Sequence, residues 1–236
     1  MSHRLIVDKQ EGLKEMGQEG YAPQPRGVKI AARIFSYLFH PVFIPVLVVA
    51  FLLYVHPYLF AGLSGFNKTR VMIMSVMMYT FFPLVTVLLL KALKFIDHIQ
   101  LKTQKDRIIP LVACMIWYFW LAYVLWNSYK MSDPLTIPTE AFRLAAAVFL
   151  SSVFALMANI RIKISLHTIA AGVMLTFMIL LALSQDLHFG IYVSIAVLIT
   201  GIICTSRFIV SDHTPTEIYG GLFVGALAML IANQAG

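Results

Sequence analysis

A chain of 236 residues that is 60% hydrophobic and only 12% charged has about half the charge of an ordinary soluble domain, in which roughly a quarter of residues are ionic. That polarity does not cover a fold in water, so a soluble enzyme is set aside and lipid becomes the main solvent. The formal net charge of +7 is then assigned to basic loops facing anionic headgroups, not to nucleic acid.

Residues 1–33 are a polar, basic tail with Pro23 and Pro25 near its end. Its Arg26, Lys29 and Arg33 fit either a short interfacial helix or a solvated segment. No apolar run begins before Arg33, which is too late for a secretory signal. Residues 34–236 read as one transmembrane domain. Seven stretches, near 36–55, 71–91, 109–127, 143–160, 165–184, 189–207 and 216–234, have Asp, Glu, Lys and Arg only at their ends. Each matches the roughly 20 apolar residues that a crossing needs. They are too long for membrane strands and lack two-residue alternation. The expected fold is therefore an all-α, polytopic bundle of about seven spans, or six if one is re-entrant.

Several local features refine this picture. Pro41 and Pro45 are expected to kink the first span, and 57–67 reads as an interfacial loop. Trp117, Trp120 and Trp126 fit aromatic belts, and Gly221 and Gly225 form a small-xxx-small packing pair. Cys114 and Cys204 lie in apolar runs as small hydrophobes, with no disulfide or metal motif. Across seven spans, 14 of the 18 Lys and Arg residues fall on the side of the N-terminus and four on the other. The positive-inside rule then puts the N-terminus in the cytoplasm, in what we expect to be a bacterial inner membrane.

Among the loops, only those after spans two, four and six carry a histidine close in sequence to an arginine, and parity opens all three on one face. The first contains Lys102, Lys105, Arg107 and Pro110; the second Arg161, Lys163, Ser165 and His167; the third Ser206, Arg207, His213 and Glu217. Cations, imidazoles and a carboxylate gathered at a membrane edge are costly to keep there and suit chemistry on phosphate.

These three segments resemble the motifs of the type 2 phosphatidic acid phosphatase superfamily, whose helical core is related to vanadium haloperoxidases. The family pattern is Lys and Arg followed by Pro, then Pro-Ser-Gly-His, then Ser-Arg, five residues, His, three residues, Asp. Ser206-Arg207, His213 and Glu217 match the third motif with Glu in place of Asp. Ser165 and His167 keep the spacing of the second, with Ile164 and Leu166 replacing Pro and Gly. In the first motif Pro110 stands three residues beyond Arg107, and Gln100 stands where the family has Lys; Lys102 or Lys105 is the alternative cation. The resemblance covers roughly 100–236.

The resemblance implies a membrane phosphatase that hydrolyses a lipid phosphomonoester or pyrophosphate through a phosphohistidine, with neither metal nor cofactor. His213 would be the nucleophile, Glu217 its orienting carboxylate and His167 the general acid. Arg107, Arg207, Ser165 and Lys102 would bind phosphate. Thr214-Pro215-Thr216-Glu217 is also a helix capping box, and Ser165 is positioned to cap span five. A phosphotransferase with another lipid as acceptor, or a non-enzymatic scaffold binding headgroups, uses the same residues. The expected partners are the lipid phosphate and membrane lipids; oligomeric state is left open. Family members work on the extracytoplasmic leaflet, whereas the charge count turns this site inward, so the leaflet is open as well.

Overall fold

The structure is a computed structural model describing residues 5–8, 12–15, 24–96, 104–131, 138–184, 189–211 and 213–235. A two-stranded ribbon, β1 (Leu5–Asp8) against β2 (Gly12–Glu15), lies in the tail. All other regular structure among the described residues is helical: α1 (Arg26–Leu38), α2 (Ile44–Tyr54), α3 (Gly65–Val76), α4 (Phe82–Ala92), α5 (Gln104–Met131), α6 (Thr139–Asn159), α7 (Leu166–Ser184), α8 (Gly190–Val210) and α9 (Pro215–Asn233). A five-residue π turn, Met77–Phe81, joins α3 to α4 in one rod. Among the described residues, six helices are long and apolar enough to cross a membrane, namely the Gly65–Ala92 rod and one each within α5 to α9. This is the architecture of a polytopic helical membrane protein.

The first expected span is not one helix. Pro41 lacks an N–H and pushes His40 out of helical geometry, so the chain breaks at 39–43 instead of kinking. Pro45 falls at the start of α2, where its missing N–H goes unused. The 11 residues of α2 rise only about 16 Å, against a hydrocarbon core of about 30 Å. Thr80 Oγ1, in the π turn near the middle of the Gly65–Ala92 rod, donates to the Val42 carbonyl at 2.8 Å. Hence α2 begins at mid-depth and runs as a half-helix, with Val48, Val49, Leu52 and Leu53 buried among its neighbours. Ahead of it, α1 bears Arg26, Lys29 and Arg33 at helical spacing, as an interfacial helix should. It packs chiefly on α8 and buries only Ala32.

Lipid tails are as apolar as leucine, so helices in a bilayer associate by close packing more than by hydrophobic burial. The tightest pair is α7 and α9. A methyl group added at Gly221 would run into Thr168 and the Ser165 carbonyl; one at Gly225 would run into the backbone of Ile169 and Val173, and one at Gly172 into Leu222. Backbone meets backbone here, as the glycine spacing predicted. A second stripe of small residues, Ala147, Ser151 and Ala155, is buried on α6. One aromatic expectation needs correcting: Trp117 stacks on Phe82 at 4.6 Å and its Nε1–H donates to Thr86 at 3.0 Å. It joins α4 to α5 and is not a headgroup-level residue.

Candidate functional site

With six crossings, α4, α6 and α8 end, and α5, α7 and α9 begin, on one face, and hydrogen bonds tie these ends together. Gln104 and Asn159 exchange side-chain-to-carbonyl bonds of 3.1 and 2.9 Å, holding the start of α5 to the end of α6. Arg107 Nη1 donates to the Ile164 carbonyl at 2.8 Å. The Ser165 N–H donates to the Glu217 carbonyl at 3.2 Å, a bond made possible by the glycine contact of α7 with α9. The starts of α5, α7 and α9 therefore meet on the face that parity gave them.

His213 precedes α9 and is buried. Its Nδ1 lies 2.9 Å from Glu217 Oε2, and that oxygen also accepts the Thr214 N–H at 3.1 Å. The Thr214 hydroxyl in turn accepts the Glu217 N–H at 3.3 Å. The capping box and the His–Glu pair thus coexist in one carboxylate: the Glu217 side chain folds back over the start of α9 and reaches both the Thr214 N–H and the imidazole of His213, which stands just before the extended cap residue. With Nδ1–H donating to the carboxylate, neutral His213 carries its lone pair on Nε2. Burial above all holds the His213 imidazole below its ordinary value of 6.5; Arg207 and Arg107 push the same way, and the bond to Glu217 opposes them.

Arg107, His167, Arg207 and His213 line one cavity of about 270 Å³, together with His40. The arginine of α5 is buried and within electrostatic reach of Glu217. Arg207 Nη1 donates to Ser36 Oγ at 2.9 Å. His167 Nε2 lies 3.1 Å from the Ser36 carbonyl, a contact that requires the proton on Nε2. Two cationic guanidinium groups and three imidazoles face this space, no carboxylate is among its described lining residues, and Glu217 sits behind His213. Such a cluster selects anions.

Two expectations change. Ser165 occupies the position before α7, but its buried Oγ has no hydrogen-bond partner, so its side chain does not cap the helix; its carbonyl accepts from Ile169 N and Thr168 Oγ1 instead. Ser165 is also absent from the cavity lining. Lys102 and Gln100 lie outside the described residues.

The sequence reading missed Ser36 and His40. His40 lies edge-on to His167, with ring centroids 5.2 Å apart, and its Nδ1 is buried without a partner. The signal was available: a histidine before a proline inside an apparent span is costly in lipid unless it faces a cavity. Compared with protein-family models, curated proteins and solved structures, the chain matches none.

Proposed function

We propose that the chain is a membrane phosphatase that hydrolyses a lipid phosphomonoester or pyrophosphate through a phosphohistidine at His213. The observation that carries this reading is the Glu217-oriented His213 opening on the same cavity as Arg107, Arg207 and His167. In the first step Nε2 of His213 attacks phosphorus, and the N–P bond forms as the bond to the lipid oxygen breaks. The Nδ1–H bond to Glu217 stabilises the imidazolium that results. Arg107 and Arg207 neutralise the equatorial phosphoryl oxygens. The leaving oxygen takes the place of the Ser36 carbonyl as acceptor of the His167 proton. Water then attacks phosphorus, His167 takes a proton from it, and inorganic phosphate leaves while His213 is regenerated.

The test is phosphate release by the purified chain from a panel of phosphatidate, lysophosphatidate and isoprenyl pyrophosphate. Release that disappears in His213→Ala supports the reading; no release from any member, or release unchanged in His213→Ala, overturns it. Vanadate, a phosphate mimic, separates this function from a scaffold. It should raise the melting temperature of the wild type and not that of Arg207→Ala.

A further inference from the structure

The cavity does not stop at the polar cluster. From Arg107 it follows α5 past Leu111 and Cys114 to Tyr118, 11 residues or about 16 Å of helix. One leaflet of a bilayer has about half of a 30 Å hydrocarbon core, so the cavity is about one leaflet deep. Beyond the charged mouth its walls are mostly apolar, with Val48 of α2, Val148 of α6 and Met174 of α7 among them, and the hydroxyls of Ser151 and Ser152 in the lining donate to carbonyls of their own helix. The wall from α2 exists because the chain breaks at 39–43 and re-enters at mid-depth. Irregular backbone at that depth is tolerated only against protein or a cavity, and His40, Pro41 and Val42 do line this one.

We propose that this space is a chamber for the hydrocarbon chain of the phosphate ester, which enters the bundle instead of remaining in the bilayer while its headgroup sits among the arginines. The α1–α2 segment, outside the region that resembles the phosphatase motifs, makes the chamber by supplying its inner wall. The inference rests on reading the polar end as a phosphate site. It adds that activity depends on chain length, because only an ester whose chain reaches Val148 and Tyr118 gains the apolar contact.

Cys114 lines the chamber and Cys204 does not, which provides a probe independent of turnover. The whole chain carrying His213→Ala, reconstituted in phosphatidylcholine vesicles, is treated with N-ethylmaleimide, and both cysteines are followed by mass spectrometry. Dodecyl phosphate should slow labelling of Cys114 at least fivefold and leave Cys204 unchanged, whereas inorganic phosphate alone should slow neither. Val148→Trp, which fills the chamber, should abolish the protection; Val148→Phe serves if the tryptophan variant does not fold. Equal labelling of Cys114 with and without dodecyl phosphate overturns the chamber, as does a Cys114 that never reacts. Protection of Cys114 without phosphate release from any substrate by the wild type would keep the chamber and refute the phosphatase. Phosphate release by the wild type with Cys114 unprotected would do the reverse.

Discussion

The α7–α9 pair and the α1–α2 segment meet at the same site but are built in opposite ways. The pair is closed by glycines at backbone contact distance, and its two N-termini present His167 and His213. The segment is interrupted by prolines. Its α1 half buries one residue and reaches the site through Ser36, while α2 is sunk among its neighbours. A reacting group must hold its geometry to fractions of an ångström, which backbone packing provides. On the proposed function, a segment that covers the site would have to let substrate in, and weakly packed elements open at low cost.

The sharpest way to break this division is on the rigid side. His213→Ala should lower phosphate release about a thousandfold or more, read by phosphate assay on whichever lipid proves active. Gly225→Leu comes next. The added side chain meets the Ile169 carbonyl, and overpacking of this kind costs about 1–3 kcal/mol or more. The expected result is a lower melting temperature together with loss of activity, and an unaltered melt would show the glycine contact to be dispensable.

Glu217→Gln keeps an amide able to cap α9 but removes the carboxylate that orients His213. Its rate should fall about a hundredfold, with stability within about 1 kcal/mol of wild type. The pH profile sharpens this further. Burial and the two arginines hold His213 low and Glu217 raises it, so wild-type kcat/KM should persist as pH falls below 6.5. The acid limb of Glu217→Gln should then move to still lower pH. A shift upward would mean that Glu217 does not act on the imidazole. By linkage, a histidine held low in the fold contributes fully to stability above its unfolded value of 6.5. That contribution declines as pH falls below 6.5 toward the folded value.

The smallest effect is expected on the loose side. Ser36→Ala removes the hydroxyl that occupies Arg207 and leaves the backbone carbonyl in place. One such hydrogen bond is worth about 0.5–1.5 kcal/mol, so vanadate should bind about two- to twelvefold more tightly, as read from thermal-shift titration. Weaker binding would show that Ser36 holds the anion with Arg207 instead of competing with it.

Much of this was legible in the chain. The third segment carried the capping box of Thr214 and Glu217, a local arrangement that turns the Glu217 side chain back over the start of α9, and His213 stands one residue before that cap. Parity of the apolar runs put Arg107, His167 and Arg207 on one face, because a hydrocarbon layer forces every crossing to change sides. The glycine pair of α9 likewise announced a close helix contact, though not that α7 was its partner. The unused hydroxyl of Ser165, by contrast, depended on how the loop before α7 turned against α9.

The sequence by itself determined the helical bundle, the face on which α5, α7 and α9 begin and the capping box that turns Glu217 back toward His213, since hydropathy over about 20 residues and local capping act without long-range help. Only the tertiary structure decided that residues 36–55 divide into a surface helix and a buried half-helix. Hydropathy reads the same for a span and for an apolar segment folded inside a bundle. Partners far along the chain, Thr80 for Val42 and Arg207 for Ser36, set that choice, and with it the cavity and the place of His40 in its wall.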